Sequence, residues 1–317
     1  MRYRTILIIP LMISPALIVR AAAQQSPINR QVERTTVVEP DVRVSLCLGS
    51  GSITVRGWDR NEVRIRTSDT TRIDFQRRGA DNPGWSRDLA LVNPITGSKC
   101  VAFGDIELDV PREAGIDLQA DNARVQAAGV AKVKITNRDG SIEVEQVSHT
   151  IDINTIGGHI SVRNSQGSIT LRSASGPIEV HDVKPNLAGE SFQATAVGGE
   201  ITLDRVAHTL VKASSVNGAL NFSGPLVWAG RYNFQTVLGN VKLSLPPDAS
   251  FRVSATLSRD VKINSDFALQ SSSIPLDSAK ILDKRASNMM HLDAAHGTAD
   301  IQITLASFSG HIYLLKK

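Results

Sequence analysis

"TIGGHISVRNSQGSITLRSASGPIEV", residues 155–180, states one short phrase three times. Gly158-His159-Ile160-Ser161-Val162 is followed by Gly167-Ser168-Ile169-Thr170-Leu171 and then by Gly176-Pro177-Ile178-Glu179-Val180. In each, two branched apolar residues alternate with polar ones, the pattern of a strand buried on one face. A glycine precedes each strand, where a turn with φ > 0 would strain a residue bearing Cβ by about 1–2 kcal/mol. The phrase therefore reads as turn, glycine, strand.

It recurs well beyond this stretch. Gly-x-[Ile/Leu/Val]-x-[Val/Leu/Phe] stands at Gly51, Gly104, Gly140, Gly158, Gly167, Gly176, Gly199, Gly218, Gly239 and Gly310. From Gly140 to Gly239 the steps are 18, 9, 9, 23, 19 and 21 residues, a period near 20 that is sometimes halved, which marks a repeat architecture. A second short strand precedes most turns, as at residues 133–136, 150–154, 210–214 and 232–236. Asn217-Gly218 alone would suit a hairpin, but near-constant corners are better explained by stacking on one another. The expected fold is all-β: a single-stranded β-solenoid or β-helix-like stack, of either hand, with glycine corners and little helix. Gly140, Gly158, Gly167, Gly176, Gly199, Gly218 and Gly239 are its structural residues. The opening stretch would be its tightest part, two strands per coil of about 18 residues.

The expected organisation is one body. Residues 1–23 read as a signal peptide, 24–112 as an N-terminal β segment with a long loop, 113–248 as the regular repeats, and 249–317 as a C-terminal segment closing the same body. Residues 77–99 read as the long loop, carrying Trp85. Residues 278–295 are the one helix candidate, although Met289-Met290 would equally suit a loop over the core.

The export reading rests on Arg2 and Arg4, an apolar run over residues 6–19, and Ala21-Ala22-Ala23. The run is shorter than the roughly 20 residues that span a bilayer; an uncleaved anchor is the alternative. Cleavage near Ala23 would deliver the chain to the periplasm, outer envelope or exterior. There Cys47 and Cys100, the only two cysteines, become a candidate disulfide. Without residues 1–23 the formal charge falls from +4 to +1, so nothing favours a nucleic-acid partner. With 41% apolar but only 4% aromatic residues, the core must be built mainly from Val, Ile, Leu and Ala.

Chemical motifs are sparse. A phosphate cradle needs a helix after its glycines, whereas here every glycine leads into a strand. A calcium nonapeptide array needs a third glycine and an aspartate that Gly157-Gly158-His159-Ile160 lacks. The enzymatic alternative is a carbohydrate-active β-helix, a polysaccharide lyase or glycosidase. It requires converging carboxylates, and only Glu143 and Glu179 come into question among the outward strand positions. His149, Asp152, His159, His181 and Asp182 would be the residues of a surface metal site, but at no recognised ligand spacing. No cofactor is expected. The arginines between Arg56 and Arg78, with Arg64 and Arg66 on one strand face, read as a partly ion-paired, solvated surface.

Gly57-Trp58-Asp59-Arg60-Asn61-Glu62-Val63, directly after the strand that Gly51 opens, resembles the start of the exported bacterial domains known as "putative adhesins". Val110-Pro111 and the later Asn-x-x-Gly-x-Ile-x-Val units resemble the same family, from about residue 37 to the C-terminus. The resemblance implies a β-solenoid-like, non-enzymatic domain of the bacterial envelope and supplies no catalytic residues. The chain departs from even repeats at residues 184–191 and 258–296. The expected function is that of an exported structural or adhesin-like binding module whose partner is an envelope polymer or protein. Self-association through terminal strand edges is a further expectation, the last unit, Gly310 to Leu314, standing at the tip.

Overall fold

The computed structural model describes residues 31–68, 73–78, 88–92, 100–271, 289–298 and 300–317. Within them the chain forms strands joined by turns and loops, without helix. The alternating runs build coils of two strands each. Over residues 132–163 these are β8 (Lys132–Asp139), β9 (Ile142–Glu145), β10 (Thr150–Thr155) and β11 (Ile160–Arg163). Next come β12 (Ser168–Ser173), β13 (Ile178–Val183), β14 (Ser191–Ala196) and β15 (Ile201–Val206). Then follow β16 (Leu210–Ser215), β17 (Leu220–Ser223), β18 (Arg231–Thr236) and β19 (Val241–Leu245).

Every strand pairs in parallel with the strand one coil away. Thr150 of β10 lies opposite Ser168 of β12, and Ile160 of β11 opposite Ile178 of β13. Even-numbered strands thus form one column and odd-numbered strands the other, and 18 residues return the chain to the same place. The nine-residue phrase is half a coil. Ile151, Ile153, Ile160 and Val162 are all fully buried, and their counterparts in successive coils join a single core cluster. Each such side chain contributes roughly 1.5–3 kcal/mol of burial before conformational entropy is subtracted.

Later coils are longer, and aromatic side chains fill them. Phe222 packs edge-on against Tyr232 with ring centroids 5.6 Å apart, and Phe234 lies 5.4 Å from Phe222. The buried Tyr232 hydroxyl accepts a hydrogen bond from Val227 N at 2.8 Å. Four of the fully buried aromatic side chains, Phe192, Phe222, Tyr232 and Phe234, lie where the coil widens.

At both ends, layer order departs from chain order. Near the N-terminus, β2 (Arg43–Trp58) and β7 (Gly115–Ala128) run through the corner and serve both columns. β2 pairs with β7 on one side and with β5 (Asp88–Val92) and β6 (Cys100–Pro111) on the other. The earlier segment therefore lies between two later ones. At the other end, β20 (Phe251–Ser258) and β21 (Ile263–Ser265) pass over a vacant layer. The last coil, β24 (Gln302–Ser307) and β25 (Ile312–Lys316), fills it. β24 pairs with both β18 and β20, and β25 with both β19 and β21.

Antiparallel strands close the stack. β1 (Gln31–Val37) lies on β3 (Glu62–Ser68), which lies on β6, and β4 (Asp74–Arg78) lies on β5. At the far end β23 (Met289–His296) covers β20 and itself pairs with β22 (Gln270–Ser271). Such caps remove the long parallel edges that would otherwise template further pairing.

Three expectations change accordingly. Residues 88–92, taken for loop, form β5 because Leu89, Ala90 and Leu91 are buried under the first coil; Trp85 and the signal peptide lie outside the described residues. In the helix candidate, residues 289–295 belong to strand β23, which eight register pairs hold to β20. Gly310 to Leu314 is not the tip but an interior layer, since β25 has partners on both sides.

Candidate functional site

Gly140, Gly158, Gly176, Gly199, Gly218 and Gly239 form one column with Gly310. A Cβ on each from Gly158 onward would stand closer than 3.0 Å to the carbonyl oxygen of the glycine one coil before it. Close backbone approach is the reason for these six, rather than the left-handed φ expected from the sequence; of the seven glycines that the sequence marks as structural, only Gly140 (φ +104) and Gly167 (φ +102) have it. Gly167 belongs to the opposite corner, where His149 O would meet its Cβ.

A buried hydroxyl closes most of the turns. The amides of Gly158, Gly218 and Gly239 donate to the side chains of Thr155, Ser215 and Thr236, three residues back, at 3.3, 2.8 and 2.9 Å. Ser173 and Ser307 instead donate to the carbonyls of Gly176 and Gly310. With those amides engaged and carbonyls stacked along the column, the corner is no anion cradle.

The other corner turns on residues that are not glycine. Gln146, Asn164, Asp182 and Arg205, each at the end of its odd-numbered strand, have φ between 49° and 55°. Sequence reasoning missed this column because its residue types share no signature; Asn164 and Asp182 tolerate the left-handed region, whereas Gln146 and Arg205 have no such preference. Side chains link it lengthwise: Arg205 donates to Asp182 at 2.7 Å, and Asn164 to Glu145 at 3.0 Å. The Arg205 hydrogen bonds hold the Asp182 carboxyl below the usual carboxylate range.

The outer faces are ladders of polar side chains, one rung per coil. On the odd-strand face, Gln126, Glu143, Ser161, Glu179, Thr202, Asn221 and Lys242 follow one another in register. Glu143 and Glu179 are thus two coils apart. Glu143 accepts from Gln126 at 3.0 Å, and Glu179 lies 3.5 Å from His159 Nε2. Ser161, between them, is buried, although its position faces outward; its longer neighbours cover it. On the even-strand face the central ladder runs Asp117, Lys134, Asp152, Thr170, Gln193, Lys212, Asn233, Thr304 and Ser254. From Thr170 on, it is nearly free of charge.

The histidines do not converge. His149 Nδ1 bonds the Ser148 hydroxyl at 2.9 Å at one corner, His159 stands at the other, and His181 lies 3.6 Å from Asp204. Asp152 pairs with Arg172 at 3.2 Å. Among the described residues no group of three or more His, Cys, Asp or Glu side chains could hold a metal ion, and no helix is long and apolar enough to cross a membrane.

Ion pairs take up part of the arginine-rich stretch. Arg64 and Arg66 reach the nearly buried carboxylate of Asp109 at 2.8 and 3.1 Å, and Arg66 also reaches Glu107 at 3.0 Å. The guanidiniums of Arg64 and Arg60 stack over Trp58, 4.7 and 5.1 Å from its centroid. Arg112 draws the Asp59 carboxyl downward in pKa, and Arg34 does the same to Asp74. Cys47 and Cys100 sit opposite each other in register and form a disulfide.

One feature of the surface had no signal in the repeat pattern. The residue after the last inward position of each even-numbered strand points outward and is apolar in six successive layers: Ile156, Ala174, Val197, Val216, Val237 and Phe308. Backbone hydrogen bonds hold the layers in step, from Ser175 N to Ile156 O through Asn217 N to Val197 O to Ser309 N to Val237 O. The result is an apolar ridge along one edge of the stack.

Residues 101–225 match the family described as Toastrack DUF4097. The matched segment runs from the start of β6 to just past β17, over the N-terminal entry and the first regular two-strand coils. Among solved structures, a putative adhesin from Parabacteroides merdae ATCC 43184 is similar at 14% identity and a TM-score of 0.47, over 69% of this chain and 90% of that one. A putative adhesin from Parabacteroides distasonis ATCC 8503 gives 8% identity and a TM-score of 0.45, over 90% and 98% of the two chains. A putative cell adhesion protein from Clostridium sporogenes ATCC 15579 gives 11% and 0.25, over 91% and 100%. No curated protein matches the chain.

Proposed function

We propose that this chain is an exported, non-enzymatic module of the bacterial envelope that binds an envelope polymer or protein through its outer ladders. The observation that carries this reading is the central ladder of the even-strand face: polar side chains from Thr170 to Ser254 with Lys212 their one charge, repeated at the strand spacing of about 4.8 Å. Such a face offers many weak, regularly spaced hydrogen bonds to an extended ligand and no enclosed pocket for a small one. The disulfide supports an oxidising compartment.

Purified protein beginning after Ala23 should pellet with one envelope fraction, peptidoglycan, lipopolysaccharide or outer-membrane protein. Binding should weaken when Gln193 and Asn233 are changed together to Glu. Retention of full binding by that double variant would move the site elsewhere. The carbohydrate-active alternative would require Glu143 and Glu179 to act together. It predicts release of reducing or unsaturated ends from a polysaccharide, abolished by Glu143→Gln.

A further inference from the structure

We propose that the apolar ridge is a side-by-side docking surface for a second copy of this chain, in antiparallel orientation. Ile156, Val197, Val216, Val237, Leu238 and Phe308 are between 40% and 59% exposed, and Ala174 completes the row. Together they present on the order of 500 Å² of apolar surface, near the upper end for the largest patch on a soluble monomer. Two copies closed over it would bury about 1,000 Å² in all, the level at which a specific interface becomes distinguishable from a chance contact.

Three observations select a second copy. Six layers at about 4.8 Å give a ridge roughly 24 Å long with the same pitch in both partners, so side chains of one ridge can seat between those of the other. On its flanks, the row Asn154, Arg172, Thr195, Ser214 and Gln235 on one side and Ser175, Asn217 and Ser309 on the other, the one charge is Arg172, which pairs with Asp152 of its own chain, so like surfaces meet with little repulsion. Its ends carry one base and one acid each, Arg138-Asp139 at one and Arg259-Asp260 at the other. Antiparallel docking sets these mixed ends against each other, so acid can face base. Two-fold symmetry then places Val197 against Val216, Ala174 against Val237, and Ile156 against Phe308.

The capped ends turn self-association from the tips, where the sequence suggested it, to the edge. The inference is independent of what the polar face binds.

Sedimentation equilibrium of the protein beginning after Ala23, from about 1 to 200 μM, should show a monomer–dimer equilibrium. Val216→Lys should shift it at least tenfold toward monomer, with the circular dichroism spectrum unchanged. A monomer across the whole range overturns the proposal, as does a dimer indifferent to Val216→Lys. Geometry has its own test: in an equimolar mixture of Val197→Cys and Val216→Cys proteins, a disulfide should form between the two variants faster than within either one. Preferential self-linking of either variant overturns the antiparallel pairing.

Discussion

His208 Nε2 donates a hydrogen bond of 2.7 Å to the carbonyl oxygen of Gly167, 41 residues earlier and two coils away. The link exists because the coil between them is five residues longer than its neighbour. Ile169 pairs with Phe192, 23 residues on, and the surplus lies at residues 184–190. With that loop bulging outward, the imidazole fills the space behind it, wholly buried and 5.9 Å from the Phe192 ring.

Burial pushes the His208 pKa below the usual histidine value, outweighing the opposite pull of the Gly167 carbonyl and of Glu190. The folded chain therefore resists a proton that the unfolded chain takes up near pH 6.5. Stability from this group is fully present above pH 6.5 and falls as the pH drops below it, by about 1.4 kcal/mol per unit until the folded pKa is reached. Urea denaturation at pH 7.5 and 5.0 should show this loss, and His208→Gln should flatten it. An equal slope in the variant would assign the pH dependence elsewhere.

The glycine column predicts a sharp contrast. Gly176→Ala and Gly218→Val put a Cβ into backbone with no room to move, and each should lower stability by about 1–3 kcal/mol or more, as overpacking does. Gly189→Ala meets nothing within 4 Å and carries only the strain of its φ of +88, about 1–2 kcal/mol. Thermal melting of the three proteins orders them. Loss of ligand binding in Gly218→Val with an unchanged melting temperature would refute a purely structural role.

The left-handed corner predicts the opposite sign. At Gln146, φ 54, glycine removes strain of about 1–2 kcal/mol at an entropic cost of about 0.5–1 kcal/mol in the unfolded chain. Gln146→Gly should be neutral to slightly stabilising in chemical denaturation. A large destabilisation would mean that the side chain holds the corner.

The disulfide joins β2 to β6 across a separation of 53 residues, within the N-terminal part whose layers are out of chain order. On the chain-entropy model its loss costs about 4 kcal/mol. Reduction, or Cys47→Ser with Cys100→Ser, should lower the denaturation midpoint and open residues 88–111 to proteolysis before the middle coils.

The sequence announces the middle of this molecule plainly. A half-coil of nine residues with two inward branched side chains repeats because every layer meets the same neighbours, so local pattern and tertiary contact coincide from residue 132 to 245. At the ends they separate. Ile303 and Leu305 read like any inward pair; nothing local says that they lie between Tyr232 and Val253 rather than beyond Leu257. β5 was unreadable because Leu89, Ala90 and Leu91 lack a preceding glycine. The candidate surface was half legible. Alternation marks Thr170, Gln193 and Asn233 as outward, but the ridge residues fall in turns, where periodicity carries no information, and only the stacking of corners brings Ile156 and Phe308 into one line.

The interleaved ends bear on how the molecule comes to be assembled. A stack whose layers follow the chain can zip from one end as each coil emerges. Here the slot between β19 and β21 must wait for residues 302–316, and until they arrive two open strand edges face each other across it. An emerging chain would thus hold a half-built stack with a gap near its end, and the final residues act as a keystone dropped in sideways. Removing residues 302–317 should unfold the whole C-terminal third rather than trim it, as far-UV circular dichroism and limited proteolysis would show.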